Sequence, residues 1–411
     1  MSKFVSTARH GIATLVLGAL ALGLVVSGSV LAPGAAHAAQ QVSAEVFKHL
    51  EPAQAALKSR NFAQALSNAD AALEAAKTQF ERDVAQQIKF QAAFNLRRWQ
   101  DVAESGEALL KSPSITGQQR VQFQRTLGSV YVQLRQYDKA LDYTRQAMAA
   151  SGGGTAADQQ TLFAIYQVRG DCQNSLAALD RLLGGRPADE KQLSWRLNCM
   201  VRSKDPRRVA VAEELLRRFP KKDYFAYVVS QYAEQKLDAR AMLNVYRFGF
   251  ERDLFKGEDE FLAHAQAALD AGFSIEAQRV LERGMKSGAV KKGDVGARSS
   301  RLIASAQGLS TEERKKIPQL DKEARAGRNG EADVNLGTAY FGMGEYQKAV
   351  EALQRGLGAD RVQRVRRPDD ANMVLGIALT ELKRRPDAQR AFSAAQADPR
   401  MAKAATLWLG G

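Results

Sequence analysis

The chain has 411 residues and a formal net charge of +14 at pH 7, with 45% hydrophobic and 25% charged residues. This length exceeds what one compact core usually holds, and helix-forming residues dominate while proline is scarce, at 10 residues. No alternation of apolar and polar residues is sustained along the chain, so a β-rich fold is excluded and stacked helical units that bury a thin core between neighbours are favoured.

Residues 1–38 are predicted to be a signal peptide. Lys3 and Arg9 give a positive start, residues 11–32 carry no charge, and Ala36-His37-Ala38 fits a small-x-small cleavage site that would cut near Ala38. The alternative is an uncleaved anchor to the inner membrane, since about 22 apolar residues could span a bilayer. Either way the rest of the chain lies outside the cytoplasm, and a periplasmic location is expected after cleavage. An exported protein rarely meets nucleic acid, so no nucleic-acid partner is expected.

Residues 39–150 are predicted to form three helix hairpins, at about 45–77, 80–111 and 116–150. Phe62, Trp99 and Tyr137 occupy equivalent positions at the three turns, and an aromatic stripe at repeat spacing is expected to serve packing between hairpins. His49 lies alone in the first helix, where a surface or core role is expected rather than a ligand role.

Residues 151–155, with the sequence Ser-Gly-Gly-Gly-Thr, interrupt this pattern. Three glycines continue a helix poorly, since each costs about 1 kcal/mol relative to alanine. The segment is therefore predicted to be a linker, either a hinge or a long loop between hairpins, and residues 156–399 are predicted to form the larger second array.

The fourth and fifth hairpins contain the two cysteines of the chain, Cys172 and Cys199. Neighbouring hairpins touch through the surfaces that carry them, and two cysteines in an oxidising compartment normally pair. We expect a Cys172–Cys199 disulfide, for which the chain-entropy model gives roughly 3 kcal/mol. The alternative is two separate buried thiols.

Two clusters of basic side chains are predicted at helix ends and turns, where most of them should be solvated and where a specific anionic ligand is the alternative. The first basic patch contains Arg207, Arg208, Arg217, Arg218, Lys221 and Lys222, and the second basic patch contains Arg361, Arg364, Arg366 and Arg367.

The later hairpins are less regular until the ninth. His264 in the seventh is expected to be a core residue. The eighth, at about 294–326, is expected to begin its second helix at Thr311, with Glu312 and Glu313 in the first turn. Residues 400–411 are predicted to cap the array, because an end hairpin exposes an apolar face that must be covered, and Trp408 is the expected cap.

A small residue recurs at one position of each second helix, with successive intervals of 37, 38, 35, 66, 36, 72 and 39 residues. These anchors are Ala65, Val102, Ala140, Ser175, Ala241, Ala277, Ala349 and Ala388. The intervals of 66 and 72 each contain one weaker repeat, so the period is about 34 residues plus a variable loop.

Three hairpins carry a more specific pattern in the same register. Their motifs are Leu127-Gly128-x-x-Tyr131, Leu336-Gly337-x-x-Tyr340 and Leu375-Gly376-x-x-Leu379. With the anchors in the following helices, they resemble the tetratricopeptide repeat (TPR) family. The resemblance implies an all-α fold, an α-solenoid of about ten TPR-like hairpins in a right-handed superhelix.

The part of the chain from residue 224 to residue 409 is similar to exported proteobacterial-type TPR proteins that accompany TonB/ExbB energy-transduction systems. The segments 244–250, 279–285 and 394–400 and Trp408 carry this resemblance. It implies an envelope partner, with inner-membrane TonB/ExbB-type components as candidates.

Motifs of catalysis and cofactor binding are absent from the sequence. It has no Gly-x-x-x-x-Gly-Lys-Ser/Thr phosphate loop, no Gly-x-Ser-x-Gly elbow and no His-Glu-x-x-His helix. The two histidines and two cysteines of the exported chain do not form a zinc site at ligand spacing. We therefore assign no catalytic, cofactor-binding or metal-binding residue.

The expected function is that of a non-catalytic envelope scaffold that holds a peptide or protein on its concave face, through first-helix residues that point away from the second helix. These candidates are Gln87, Gln91, Phe94, Arg125, Ser129, Val132, Gln160, Gln167, Val334, Thr338 and Phe341. One alternative is a protein that binds a polyanion or a cell-wall glycan through the basic patches. The other is a glycan hydrolase built on a helical solenoid, which would need acidic residues facing one another across the groove.

Overall fold

A computed structural model describes residues 42–291, 293, 297–327 and 330–410. The predicted signal peptide and its cleavage site lie outside these residues. Within them the chain forms 20 α-helices and one short 3-10 helix, and it contains no strand. The prediction of an all-α fold is confirmed. No helix among the described residues is both long enough and apolar enough to cross a membrane.

The chain divides into two compact units, and the boundary lies between Ala188 and Asp189. Unit 1 contains α1 (Ala44–Lys58), α2 (Phe62–Ala75), α3 (Gln79–Asn95), α4 (Trp99–Lys111), α5 (Gly117–Gln133), α6 (Tyr137–Ala150), α7 (Ala156–Arg169) and α8 (Cys172–Leu183). Unit 2 contains α9 (Glu190–Arg202), α10 (Arg208–Arg218), α11 (Lys222–Glu234), α12 (Ala239–Glu251), α13 (Glu258–Asp270), α14 (Ser274–Lys286), α15 (Arg298–Ala326), α16 (Gly330–Met343), α17 (Tyr346–Gly356), α18 (Pro368–Glu381), α19 (Arg385–Gln396) and α20 (Ala402–Leu409).

The glycine-rich segment 151–155 lies inside unit 1, between α6 and α7. Gly152 and Gly153 have positive φ angles of 70° and 157°, which a right-handed helix does not allow, so α6 ends before them. Thr155 then starts α7 with a capping box, in which its hydroxyl and the Asp158 carboxylate exchange bonds with each other's backbone N–H groups. Whether this segment acts as a hinge stays a prediction.

Nine helix hairpins in the described part of the chain turn in the same way. In each hairpin, a single residue in the turn that follows the first helix adopts the left-handed conformation. The backbone N–H of the next residue then donates to a carbonyl oxygen of the first helix across 2.8–3.0 Å, as in a Schellman motif. The left-handed residues are Arg60, Arg97, Arg135, Gly170, Lys204, Lys236, Gly272, Gly344 and Lys383. The repeated turn sets one register for every hairpin.

Small residues at the predicted positions bring the two helices of a hairpin together. A Cβ on Gly128 would lie 2.4 Å from Thr144 Oγ1, and a Cβ on Gly337 would lie 2.6 Å from Leu353 Cγ. The corresponding distance from Gly376 to Phe392 Cε1 is 2.4 Å. All eight predicted anchors, from Ala65 to Ala388, are buried. The hairpin contacts therefore lie where the repeat pattern predicts them.

The predicted eighth hairpin is wrong. α15 is a single helix of 29 residues that runs through Ser310 and Thr311. The Thr311 hydroxyl donates to the Gln307 carbonyl at 2.8 Å, four residues back, so it does not cap a new helix. Ser310 is buried and its hydroxyl donates to Gln278 of α14. A hydroxyl that bonds inside a helix or to a neighbouring helix gives no stop signal, and the helix continues.

The last helix packs on α19 and also returns to an earlier helix of unit 2, while its role as the cap of the array stays a prediction. Trp408 is 4% exposed and stacks on Phe392 of α19 at 5.5 Å. Its ring also meets Phe248 of α12 edge-on at 5.2 Å, and its indole N–H donates to the Asn244 carbonyl at 3.2 Å. Unit 2 thus contains contacts between helices far apart in sequence, beyond those between neighbouring repeats.

Neither cysteine is a free thiol, and the predicted Cys172–Cys199 disulfide is confirmed. The alternative of two separate buried thiols is therefore wrong.

Gly272 and Gly308 allow the same substitution to be tested in opposite backbone settings. A Cβ at either position would meet no atom within 4 Å, but Gly272 has φ of +84° and Gly308 lies inside α15. We expect Gly272→Ala to lower the free energy of unfolding by about 1 kcal/mol and Gly308→Ala to raise it by about 0.5–1 kcal/mol. Urea unfolding followed by circular dichroism measures both. A destabilised Gly308→Ala variant would contradict a continuous α15.

Candidate binding surface and buried ion network

The predicted binding residues of unit 1 lie on equivalent stripes of three first helices. Gln87, Gln91 and Phe94 follow one face of α3 at spacings of four and three, and α5 and α7 repeat the stripe. The opposite face of each helix packs on its second helix. Seven of these eight candidates are half-buried, whereas Val132 is buried at 5% exposure and offers little surface to a partner.

Some of these polar side chains are engaged within unit 1. Arg125 Nε donates to both carboxylate oxygens of Asp158, at 3.1 and 3.2 Å, and its Nη2 donates to Ser151 at 3.0 Å. The hydroxyl of Ser129 lies 3.5 Å from that of Thr161. Arg125 therefore braces α5 against α7 as well as facing outward.

The glutamine amides on the same stripes are not engaged. The side chains of Gln87, Gln91, Gln160 and Gln167 make no hydrogen bond to any residue that the structure describes. All four are half-buried. Each amide can donate two hydrogen bonds and accept two, so this face of α3 and α7 has unused bonding capacity at repeated intervals.

The candidates of unit 2 have less access to a partner. Val334 is 9% exposed and Phe341 is fully buried, with the guanidinium groups of Arg247 and Arg279 at 5.2 and 5.5 Å from its ring. Thr338 stays half-buried and its hydroxyl donates to the Val334 carbonyl at 2.7 Å. The cause is that α14 packs directly on α16, so the stripe that was expected to face a groove faces another helix.

Most cations of the first basic patch have partners within unit 2. Arg207 pairs with Asp205 at 2.6 Å and Arg218 with Glu214 at 2.7 Å. Lys221 pairs with Glu190, and Arg208 donates to the amide oxygen of Gln231 at 3.2 Å. Arg217 is half-buried with its Nε out of reach of any described acceptor, and Lys222 is exposed.

The second basic patch is neutralised in a similar way. Arg361 pairs with buried Asp333 at 2.7 Å, and Arg366 pairs with Glu331 at 2.9 Å. Arg367 lies 3.5 Å from Asp369, while Arg364 stays exposed in the 3-10 helix Val362–Arg364. Carboxylates thus neutralise much of the charge of both patches: Asp205, Glu214 and Asp369 are near their partners in sequence, whereas Glu190, Asp333 and Glu331 come from other helices.

A buried ion network, which sequence reasoning missed, lies at the centre of unit 2. Arg247 of α12 is 1% exposed, and its guanidinium donates to both oxygens of Glu276 of α14, at 2.8 and 2.6 Å. His264 of α13, the predicted core histidine, is fully buried with Nε2 at 3.0 Å from the same carboxylate. The sequence signal that could have indicated this network is Arg247 itself, an arginine flanked by apolar residues in the segment 244–250.

The network continues to helices that lie far along the chain. Arg247 Nη1 donates to Asn244 Oδ1 at 2.8 Å, and Asn244 donates to Asp370 of α18 at 3.1 Å. Arg240 donates to the other Asp370 oxygen at 2.8 Å. Through these bonds α12 is joined to α13, α14 and α18, and the Trp408 indole joins it to α20.

The environment fixes the charge states of this network. Burial opposes the ionisation of Glu276, yet the adjoining Arg247 guanidinium holds the pKa of that carboxyl well below its usual range. Burial lowers the pKa of His264, and its Nδ1 has no hydrogen-bond partner among the described residues. A fully paired carboxylate with a neutral histidine braces the helices and is not arranged for proton transfer.

No group of three or more His, Cys, Asp or Glu side chains among residues 42–291, 293, 297–327 and 330–410 is placed to hold a metal ion.

Comparison with known proteins gives one family match. Residues 334–363 match the tetratricopeptide repeat model, which covers the hairpin of α16 and α17. No curated protein matches the sequence. The match supports the TPR resemblance for this hairpin; eight other hairpins among the described residues share its turn, and those of Gly128 and Gly376 share its glycine contact.

Two solved structures are similar at low identity. The structure of Naa15/Naa10 bound to HypK-THB is 13% identical with a TM-score of 0.39, and the alignment covers 86% of this chain and 58% of that chain. This chain therefore spans less than two thirds of that structure's length. The TPR domain of P58(IPK) is 16% identical with a TM-score of 0.25, covering 83% and 99%.

Breaking the buried pair should be costly, because one charge would stay buried without a partner. We expect Arg247→Met to lower the free energy of unfolding by about 3–5 kcal/mol, and Arg247→Met with Glu276→Gln to recover part of that loss. Lys315→Met, which breaks the exposed pair with Glu312, is the control and should leave stability unchanged. Chemical unfolding measures all three, and a double variant no more stable than Arg247→Met alone would contradict the prediction.

His264 should make unit 2 sensitive to mild acid. An unfolded histidine titrates near pH 6.5, and the buried ring has a lowered pKa. As the pH falls through about 6.5, His264 binds a proton in the unfolded chain but not in the folded chain. The free energy of unfolding therefore decreases. We expect His264→Gln to reduce this slope between pH 7.5 and 5.5 relative to the unaltered protein. Urea unfolding across this pH range tests the difference, which would vanish if the ring were protonated in the folded state.

Proposed function

We propose that the chain is a non-catalytic scaffold that binds an extended peptide or protein segment on the first-helix face of unit 1. The observation that carries this proposal is the set of four half-buried glutamine amides, Gln87 and Gln91 on α3 and Gln160 and Gln167 on α7, without partners in the described part of the chain. They recur at equivalent register positions and so offer repeated hydrogen bonds along one face.

An extended peptide suits this face for a chemical reason. A peptide backbone presents alternating N–H donors and carbonyl acceptors, and a glutamine amide satisfies both kinds of group. Phe94 adds a half-buried ring beside them, packed edge-on against Trp99 at 5.9 Å. Stacked helical repeats present such a surface along several units, so affinity would come from many weak bonds and a few apolar contacts.

The cell envelope is the proposed place of action. The confirmed disulfide agrees with an oxidising compartment, and the first 38 residues have the pattern of a signal peptide. The resemblance of residues 224–409 to TPR proteins that accompany TonB/ExbB systems makes inner-membrane components of that type the first candidates for the partner.

The two other functions have less support. Binding of a polyanion through the basic patches would compete with the ion pairs to Asp205, Glu214, Glu190, Asp333 and Glu331. A glycan hydrolase would need carboxylates that face each other across the binding surface, and the carboxylate of Asp158 on α7 is held by Arg125.

Site-specific photo-crosslinking in cells that export the protein tests the proposal. A photoreactive residue at Gln87 or Gln160 should yield a discrete crosslinked partner, whereas the same residue at exposed Glu104 of α4 or Ala149 of α6 should not. Mass spectrometry then identifies the partner. A TonB/ExbB-type protein would support the narrower assignment, and another envelope protein would support the scaffold alone. Equal crosslinking at all four positions, or none at any, would count against a first-helix binding face.

A further inference from the structure

The hairpin tips of unit 1 carry a regular series of cations in a strained backbone conformation. Arg60, Arg97 and Arg135 are the left-handed residues of the first three hairpins, with φ of 60°, 57° and 58°. They recur at intervals of 37 and 38 residues. We call these three arginines the hairpin-tip row.

The row is exposed and its charge is not neutralised. All three residues are exposed, and none of their guanidinium groups has an ion pair or a hydrogen bond with a residue that the structure describes. This distinguishes the row from the two basic patches, where carboxylates pair with most of the cations. The row therefore presents its positive charge on the surface of unit 1 without compensation by acidic side chains.

The conformation of these positions favours glycine. A side chain in the left-handed region is strained, and glycine adopts it freely. The chain itself uses glycine at the same turn position in Gly170, Gly272 and Gly344. A cation at the end of a helix gains some stability from the helix dipole, but a cation in the last turn gains the same without the strain. Arginine at three successive tips thus points to a use for the charge.

A surface depression adjoins the third tip. It has a volume of about 600 Å³ and is lined by Arg135, Gln136, Tyr137, Asp138, Lys139 and Arg169. Asp138 pairs with Arg169, and Lys139 lies 3.1 Å from Glu107, so Arg135 is the unpaired charge at its edge. The depression gives room for a side chain of a bound segment beside the row.

We propose that the hairpin-tip row is a docking surface for an acidic, extended protein segment. The first helices of the first two hairpins, α1 and α3, touch, and touching helices have axes roughly 8–10 Å apart. An extended chain rises about 3.3 Å per residue, so carboxylates some three residues apart match the spacing of the first two hairpins. Arginine binds carboxylates through two parallel N–H groups, which adds geometry to the charge.

An acidic protein segment fits the row better than single-stranded nucleic acid does. Nucleic-acid channels combine cations with aromatic faces on which bases stack. The rings next to the tips, Phe62, Trp99 and Tyr137, are half-buried, and Trp99 packs on Phe94. The row therefore offers charge without open stacking platforms. This surface is separate from the glutamine stripes, and the proposal does not rest on the function assigned to them.

The test compares two triple variants of the exported chain. Arg60→Gly, Arg97→Gly and Arg135→Gly remove the row, and Lys204→Gly, Lys236→Gly and Lys383→Gly make the same charge change at the same kind of turn in unit 2. Glycine suits all six positions, so both proteins should fold, which thermal melts verify. The probe is a short fluorescent poly-glutamate peptide, and fluorescence anisotropy measures its affinity at low and at physiological salt.

We expect the affinity for poly-glutamate to fall about tenfold or more in the unit 1 variant, as three weak surface ion pairs would give, and to change little in the unit 2 variant. Arg60→Lys, Arg97→Lys and Arg135→Lys together should keep most of the binding. Equal losses in both glycine variants would show that only net charge matters and would overturn the proposal. Tighter binding of an oligonucleotide or an anionic vesicle of matched charge would overturn the choice of an acidic protein segment.

Discussion

The turn inside each hairpin is the constraint on which the rest of the structure depends. A single left-handed residue and one backward hydrogen bond fix the angle and the register between two helices. With that register set, Gly128, Gly337 and Gly376 face the second helix of their hairpins at the same position. The other face of each first helix is then also equivalent from hairpin to hairpin. Repeated surface features, including the glutamine stripes and the arginine tips of unit 1, are consequences of the repeated turn.

Unit 2 adds contacts that a chain of identical repeats would not contain. α15 replaces a hairpin with one long helix, α14 meets α16 directly, and α20 returns to α12. The buried pair of Arg247 and Glu276 lies where these elements converge. A buried ion pair gains little net stability over apolar residues, because desolvation offsets the attraction of its charges. Its bonds have strict geometry, however, so the pair selects one arrangement of the surrounding helices.

The distribution of charge changes which surfaces are candidates for function. A run of basic residues in a sequence shows the cations and not the acids that other helices bring to them. Arg361 is paired with Asp333 and Arg366 with Glu331, and Lys221 of the first patch is paired with Glu190 of α9. The arginines of the hairpin-tip row belong to no basic cluster in the sequence. Their charge is not neutralised, because no acidic side chain among the described residues pairs with them.

The sequence by itself determined the helical class, the period and the eight buried anchors, because each of these follows from local spacing that does not need a distant partner. Only the tertiary structure decided between a disulfide and two separate thiols, the burial of Phe341 and Val334, the single helix at 298–326 and the pairing of Arg361 and Arg366. Those outcomes depend on which helices meet across tens or hundreds of residues, as Asn244 meets Asp370. A repeat pattern predicts the contacts between hairpins that follow one another in the sequence. It does not predict contacts between helices that are far apart in the sequence.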